Sequence, residues 1–377
     1  MITSLKEDGD TLLFNISNIN VSYVNGIRRT ITSDIPCAIF KTFPYDESDC
    51  IITKNTTRFN NEILKHRLGC IPIMINPANI PVQNLTVKVK RVNTSTEIEY
   101  VTTKDFKIYN EATGDFLPES IRDAMFPSNP ISKSYIDFVR LRPGYTNNEN
   151  KSASIIGEEL EFECKLSIGS AKVNSMFNVA SCVSFTNTIV PQEELSTHFE
   201  KYINKLKSDD NYDEGELEAA ERDWYNLNAH RYFVEDSFQF KLTSLNIYPC
   251  KDLVNIACGV LINKIKILAS QEADTNYNLS YEINKNNSYS KYCFDINLIN
   301  ESYTIGKIIE HTIYQKCVLE DKTISFVSFL KEHPHKSDSL IRVIFVEDMS
   351  SGDLIAILNE CFSVIIKNLE TIKLSFN

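Results

Sequence analysis

The chain of 377 residues is longer than one ordinary hydrophobic core allows and predicts two or three domains. Its 42% hydrophobic and 10% aromatic residues are typical of packed globular domains and argue against a disordered chain. The net charge of −11 argues against a large surface that grips nucleic acid, because such a surface needs clustered lysine and arginine.

The ten cysteines indicate free thiols in a reducing compartment rather than a disulfide framework. No two of them are separated by only two residues, so the paired knuckles of a structural zinc site are missing. The acidic, polar start MITSLKEDGD does not resemble a secretory signal. No uncharged apolar run approaches the roughly 20 residues that a membrane span needs, so we expect no membrane contact.

In chain order, residues 11–16 predict a strand that leads into an amphipathic helix within residues 17–36. The hydroxyl of Ser22 is predicted to cap this helix, and Pro36 is predicted to end it. The apolar face of the helix has spacings of three and four residues and comprises Val21, Val24, Ile27 and Ile31. Arg28 and Arg29 lie near its C-terminal end, where the helix dipole favours cations.

The middle of the chain predicts mainly strands, because period-two alternation is frequent there. Glu62 to Leu68 predicts a short helical turn that Gly69 closes in a left-handed conformation. The other predictions are a strand at 37–43, a loop at 45–62, a hairpin of 85–92 with 96–102, and strands at 158–168 and 178–190. Residues 192–232 are highly charged and predict two helices joined by a flexible tip at 207–216.

The last part of the chain repeats the opening order of strand, helix, strands and long helix. The first copy ends with a strand at 237–246 and an apolar helix at 251–268, and a polar linker follows at 269–276. The second copy predicts a strand at 291–300, a helix at 302–316, two strands, and a closing helix at 351–376. The apolar face of the helix at 302–316 comprises Ile305, Ile308, Ile309 and Ile313. Mutual packing of these apolar helices is the physical expectation.

Two segments resemble signatures of the alpha subunit of multisubunit DNA-dependent RNA polymerases. SYVNGIRRTITSDIP resembles a motif in which Asn-x-x-Arg-Arg precedes an apolar stretch and Pro; Asn25, Arg28, Arg29 and Pro36 fill those places. NEILKHRLGCIPI resembles a second signature of the family, and the matching residues are Glu62, His66, Arg67, Leu68, Gly69, Ile71 and Pro72. Residues 141–144 and 156–185 resemble the sheet that returns after the inserted domain of the family.

The C-terminal part resembles the smaller partner of that subunit, the eleventh subunit of the eukaryotic enzyme. Its helix signature is present with departures at Tyr303 and Lys307, and its Pro-His-Pro signature ends in His335 instead of proline. The chain therefore resembles a third-subunit-like chain fused to an eleventh-subunit-like chain. Such fusions are typical of large cytoplasmic DNA viruses, so the resemblance implies the host cytoplasm and the virion as locations.

The resemblance implies an α+β fold built as a pseudo-symmetric dimerisation unit with an inserted, mainly-β domain. Residues 1–42 and 155–268 would form the third-subunit-like half, and residues 277–377 the eleventh-subunit-like half. Residues 43–154 would form the inserted domain. The two apolar helix faces given above would pack the halves against each other.

The implied function is a non-catalytic assembly platform for transcription, which docks the second-largest and largest polymerase subunits and small auxiliary subunits. DNA would be contacted only indirectly, through the complex. The residues expected to dock the other subunits are Asn25, Arg28, Arg29, Glu62, His66 and Arg67. No zinc or iron–sulfur site is expected in this chain, and the catalytic magnesium is expected on the largest subunit.

Two other classes of function remain open from the sequence. One is an enzyme that uses His66 or a cysteine of low pKa, which would need a nearby base and oxyanion donors. The other is a free-standing protein-interaction scaffold or DNA-binding regulator. A DNA-binding regulator would need a basic face, against the balance of −11.

Overall fold

The computed structural model describes residues 2–144, 157–208, 214–271 and 277–376. Helices and antiparallel sheets share these residues, which confirms the predicted α+β class. The chain divides into two compact units. Unit 1 comprises Met1–Ile31, Cys182–Thr243 and Cys250–Asn377, and unit 2 comprises Thr32–Ser181 and Ser244–Pro249.

The strands and helices are numbered in chain order. The strands are β1 (Ile2–Asp8), β2 (Thr11–Ser17), β3 (Cys37–Phe40), β4 (Cys50–Asn55), β5 (Leu85–Val92), β6 (Glu99–Thr102), β7 (Lys107–Asn110), β8 (Asp115–Phe116), β9 (Asp137–Leu141), β10 (Glu159–Gly169), β11 (Ala180–Ile189), β12 (Phe233–Ser244), β13 (Ser280–Lys285), β14 (Cys293–Ile299), β15 (Ile324–Leu330) and β16 (Ser339–Phe345). The helices are α1 (Val21–Ser33), α2 (Asn61–Gly69), α3 (Glu119–Met125), α4 (Gln192–Lys207), α5 (Glu214–Asp223), α6 (Cys250–Ser270), α7 (Tyr303–Ile313) and α8 (Ser351–Leu374).

Unit 1 contains the same topology twice. In the N-terminal half, which we define as β1, β2, α1, β11, β12 and α6, the sheet order is β1-β2-β12-β11. In the C-terminal half, residues 277–376, the order is β13-β14-β16-β15. Counted within each half, both sheets have the strand order 1-2-4-3. In both halves one helix follows the second strand and a long helix follows the fourth.

The long helices α6 and α8 form much of the apolar core of unit 1, and they pack against each other. By length and composition alone, α6 could span a membrane, but 10 of its 21 residues are buried within the protein. Helix α8 begins with a capping box in which the Ser350 hydroxyl accepts from the Asp353 N–H. The two helices therefore give both halves of unit 1 a shared core.

The charged insertion of residues 192–232 forms the two predicted helices, α4 and α5. They enclose a small cluster of their own around Trp224, the only tryptophan of the chain, which is buried beside Phe199 and Tyr232. Of the predicted tip at 207–216, residues 209–213 lie outside the described residues.

Unit 2 is built on a six-stranded antiparallel sheet of order β3-β10-β5-β7-β8. Strands β3 and β4 share one edge of β10, each pairing with a different part of it. Strands β6 and β9 form a separate two-stranded sheet. An aromatic cluster fills the core, with ring centroids 5.3–6.3 Å apart, and comprises Phe40, Phe106, Phe126, Phe138 and Phe162.

The predicted hairpin of 85–92 with 96–102 is wrong. Strand β5 pairs with β10 along one edge and, through residues 85–88, with β7 along the other. Strand β6 pairs with β9 instead. The predicted loop at 45–62 is also wrong in part, because it contains β4, which pairs with the first part of β10.

Two local predictions at helix ends are wrong. The first-turn N–H of Ser22 donates to the Asn20 side-chain oxygen at 2.9 Å, so Asn20 takes the capping role. Gly69 is helical, and no left-handed conformation occurs there. A side chain at Gly69 would meet the Thr42 hydroxyl at 2.8 Å, so the glycine allows close packing rather than a turn.

The predicted inserted domain of residues 43–154 falls in unit 2, although residues 145–154 lie outside the described residues. Unit 2 also includes β3 and β10, which the sequence assigned to the dimerisation half, because β3 pairs with β10 and β10 pairs with β5. The predicted linker 269–276 begins within α6, and its residues 272–276 lie outside the described residues.

Candidate subunit interface

The predicted apolar face of α1 lies almost entirely inside unit 1. Val24, Ile27 and Ile31 are each at most 3% exposed, so they belong to the core. Val21 is 44% exposed and lines a cavity of about 670 Å³ between α1, α7 and two strands of unit 1. On α7, the predicted apolar residues are all buried; they are Ile305, Ile308, Ile309 and Ile313.

Helices α1 and α7 touch where a glycine lets them approach. A side chain at Gly26 would meet the Ile308 Cδ1 atom at 2.8 Å and the Thr304 carbonyl oxygen at 3.4 Å. The absence of a side chain at Gly26 therefore makes room for the C-terminal half. Sequence analysis gave Gly26 no role, and its place inside the Asn-x-x-Arg-Arg motif was the only available signal.

Tyr23 connects α1 to both helices of the C-terminal half. Its hydroxyl lies 3.3 Å from the Thr312 hydroxyl on α7 and accepts a hydrogen bond from the Asn368 side-chain amide on α8 at 3.2 Å. Burial raises the pKa of the Tyr23 phenol, so it is a neutral donor and acceptor at physiological pH. Sequence analysis missed this residue, because tyrosine at a buried helix position gives no local signal of its partners.

The residues that follow α8 pack against the sheet of the N-terminal half. The ring of Phe376 packs edge-on against Phe14 of β2, with centroids 5.0 Å apart, and Phe14 stacks on Phe240 of β12 at the same distance. The two halves of unit 1 thus meet through the pairs α1–α7 and α6–α8 and through this aromatic contact.

A buried ion pair also joins the two halves. The Lys264 ammonium on α6 lies 3.5 Å from the Glu301 carboxylate, and their side chains are only 3% and 5% exposed. The ammonium also lies 5.4 Å from the ring centroid of Tyr277. Lys264 lies on the buried face of α6, where a lysine is found only with a partner for its charge.

The paired arginines of α1 have different partners. Arg29 donates from Nε to the Thr304 hydroxyl at 2.9 Å and lies 3.5 Å from the Ser302 hydroxyl, so it holds the start of α7. Arg28 donates from Nε to the Asn25 side-chain oxygen at 3.0 Å. Partial burial and the charge of Arg29 lower the pKa of Arg28 below the usual arginine value. Docking of another subunit by these residues stays a prediction. If Arg29 contacts another subunit, it does so in addition to its hydrogen bond to Thr304.

The second predicted docking group lies on α2 in unit 2. Asn60 caps this helix, its side-chain oxygen accepting from the Ile63 N–H at 2.9 Å. Glu62, His66 and Arg67 are exposed. The Arg67 guanidinium donates to the carbonyl oxygens of residues 138 and 137, at 2.8 and 3.1 Å, and so fastens α2 to β9.

The described residues contain no group of three or more His, Cys, Asp or Glu side chains that could hold a metal ion. Burial raises the pKa of Cys37 to about 11 and that of Cys258 to about 12, which disfavours a reactive thiolate at either position. The absence of zinc and disulfides stays a prediction.

The chain is similar in sequence to subunits of DNA-directed RNA polymerases. No protein-family model matches the chain. It is 29% identical over 160 residues to the "DNA-directed RNA polymerases I and III subunit rpac1" of Dictyostelium discoideum. This alignment covers 38% of this chain and 43% of that protein. The relatives are alpha-like RNA polymerase subunits.

Two further relatives match shorter segments of the chain. The mouse "DNA-directed RNA polymerases I and III subunit RPAC1" is 37% identical over 71 residues, covering 19% of this chain and 18% of that protein. "DNA-directed RNA polymerase subunit Rpo3" of Thermococcus kodakarensis is 35% identical over 69 residues, covering 18% and 24%. The chain therefore spans less than half the length of these curated relatives in each alignment.

Proposed function

We propose that this chain is a non-catalytic, alpha-like assembly subunit of a DNA-directed RNA polymerase that carries both halves of the assembly unit in one polypeptide. The observation that carries the proposal is the sheet order 1-2-4-3, present in both halves, together with the helix contacts α1–α7 and α6–α8. The polymerase context comes from the relatives, all of which are polymerase subunits by name.

Fusion of the halves has a physical advantage for assembly. In a free half, the apolar faces of the helices would be exposed to water, and such faces promote association with wrong partners. In one chain, the second half is present at a high effective concentration, so pairing no longer depends on an encounter between two molecules. The platform would then dock the second-largest subunit, followed by the largest, which would hold the catalytic magnesium, and small auxiliary subunits.

The docking surface we propose includes Asn25 and Arg28 on α1. Asn25 lines the cavity of about 670 Å³ in unit 1, and its side-chain oxygen orients the Arg28 guanidinium. A guanidinium is a rigid fork of donors that suits carboxylates and carbonyl oxygens of a docking protein. Arg29 remains part of this proposal.

Copurification from the natural source tests the proposal. The tagged chain should bring down the second-largest and largest polymerase subunits, identified by mass spectrometry. A chain that copurifies with neither, under salt conditions at which it stays folded, would refute the assignment. Recovery in cytoplasmic viral factories and in purified virions tests the finer proposal of a viral enzyme.

Single arginine variants test the docking surface. If the contact is desolvated, Arg29→Ala should weaken docking of the second-largest subunit by about 2–5 kcal/mol, and a merely solvated arginine would contribute less than about 1 kcal/mol. Arg28→Ala is measured beside it. Arg222→Ala, an exposed arginine of α5, is the control and should dock normally.

Stability has to be separated from docking in this experiment. Loss of the Arg29 hydrogen bond to Thr304 should reduce the free energy of unfolding by about 0.5–1.5 kcal/mol. Circular dichroism and a thermal unfolding curve measure this effect. Normal docking by both arginine variants would exclude the α1 surface.

A further inference from the structure

Unit 2 has an arginine-lined cavity of about 500 Å³ between α2, β9 and the segments next to them. Its walls include Arg58, Arg67, Arg140 and Arg142, which are four of the 11 arginines in the chain. This concentration stands out in a protein with a net charge of −11. The helix pairs on which the proposed function rests belong to unit 1, so this cavity requires its own explanation.

The guanidinium groups differ in what they contact inside the protein. Arg142 is paired with Glu158, which accepts from its Nε at 2.6 Å. The Arg67 guanidinium donates to two carbonyl oxygens and lies over the Phe59 ring, 5.6 Å from its centroid. The Arg140 guanidinium lies over the Tyr100 ring in the same way, 5.1 Å from its centroid. Within the described ranges, no carboxylate lies at ion-pair distance from Arg58, Arg67 or Arg140.

The charge balance of the cavity is positive. Four arginines stand against two carboxylates, Asp137 and Glu158, which leaves an excess of two positive charges. In the larger cavity of unit 2, about 730 Å³ over β5, four of the lining cations each lie within ion-pair distance of a carboxylate; they are Lys88, Lys90, Arg91 and Arg122. The arginine-lined cavity therefore has guanidinium donors available for an external anion.

The same cavity has an apolar part. Phe138 and Val139 are buried and form its base, whereas Phe59 is 37% and Ile98 is 52% exposed. Exposed apolar side chains next to positive charge suit a ligand that has carboxylates around an apolar anchor. Because Arg67 and Arg140 lie against aromatic rings, they are partly held in place before a ligand arrives, which reduces the entropy lost on binding.

From this geometry we infer that the cavity docks a short acidic segment of a partner protein, with aspartate or glutamate side chains on the arginines and an aliphatic or aromatic side chain against Ile98 and Phe59. A nucleic-acid strand fits less well. Its many phosphates would be repelled by the net charge of −11 and by Asp137, and they would leave the apolar part without a contact.

Peptide binding to the full-length chain tests the inference without any other subunit, so the outcome is independent of the polymerase assignment. The probe is a short fluorescein-labelled peptide of Asp and Glu around a central Leu-Phe pair, measured by fluorescence anisotropy. Saturable binding is expected, and it should weaken as salt increases. Two matched peptides, one with Asn and Gln for the acids and one with Ser for Leu-Phe, should both bind more weakly.

Variants of the rim arginines locate the binding site. The double variant Arg58→Gln/Arg140→Gln should weaken the peptide affinity about fivefold or more, as expected for the loss of two exposed ion pairs. Arg91→Gln removes one positive charge from an arginine that already pairs with Glu99 and Asp105, and it should leave the affinity unchanged. Thermal unfolding checks that all variants are folded.

Three outcomes would overturn the inference. The first is equal binding by the double variant and the wild type, and the second is tighter binding of a thymidylate oligonucleotide than of the peptide. The third outcome comes from a variant in which a short glycine link replaces residues 145–156. This replacement is feasible because Gly144 and Gly157 lie next to each other. Peptide binding that occurs only after this replacement would mean that the chain supplies its own occupant.

Discussion

The buried pair Lys264–Glu301 allows a quantitative test of how the halves of unit 1 are held together. Replacement of Lys264 by methionine keeps the aliphatic stem but removes the cation, so the Glu301 carboxylate stays buried without it. At 3.5 Å, two unit charges attract by about 5 kcal/mol in an effective dielectric constant of about 20. Desolvation offsets much of this attraction in the intact pair, but the buried anion alone keeps the full penalty.

We therefore expect Lys264→Met to lower the free energy of unfolding by about 3–5 kcal/mol. The double variant Lys264→Met/Glu301→Gln removes both charges and should recover most of this loss. Lys266→Met, on the exposed face of the same helix, is the matched control and should change stability by no more than about 0.5 kcal/mol.

Urea unfolding measures these differences. Fluorescence of Trp224, the single tryptophan, reports on unit 1, and circular dichroism follows the whole chain. The reasoning would be refuted if Lys264→Met lost less than about 1 kcal/mol, or if the double variant were no more stable than the single one. Either result would mean that the pair is hydrated in solution and does not bind the halves together.

The remaining predictions concern two glycines, one histidine and the cysteine spacing. Gly306→Ala should cost about 1–3 kcal/mol in a thermal or urea unfolding experiment, because its new Cβ atom would lie 2.0 Å from the Phe329 ring. Gly259→Ala, where the nearest atom is 3.9 Å away, should instead stabilise the protein by up to about 1 kcal/mol. Burial lowers the pKa of His311 below 6.5, so in the window just below 6.5 the unfolded state binds a proton that the folded state does not. Stability should therefore fall as the pH drops through about 6.5, and a His311→Gln variant should show a shallower fall when urea midpoints are compared between pH values. Metal analysis of the purified, untagged chain should find no stoichiometric zinc; an equimolar amount would contradict the cysteine spacing argument.

Several elements could be predicted from the sequence because their signal is local. Apolar spacing of three and four identified α1, α6, α7 and α8, and strict alternation identified β10. The second copy of the strand–helix order was visible for the same reason. In contrast, β1, β4 and β13 were missed, because they are mostly polar strands whose only requirement is a neighbour with an open edge.

The candidate interface was predicted only in outline. The apolar stripes of α1 and α7 were visible as patterns, whereas Tyr23, Gly26 and Lys264 gained their meaning from residues about 290, 280 and 40 positions away in the chain. The arginines of α2 and β9 show the same limit. The motif that contains Arg67 was visible, but the cavity that Arg67 forms with Arg140 and Phe59 depends on a strand that is distant in sequence.

The sequence by itself determined the periodicity of each helix and strand, the two-fold repetition of their order and the similarity to alpha-like polymerase subunits. Tertiary structure decided which strand edges pair, which glycines admit a neighbouring helix, and which charges are buried together. The physical reason is that backbone periodicity is set by adjacent residues, whereas hydrogen-bond partners and desolvation depend on whatever segment the fold brings within a few ångströms.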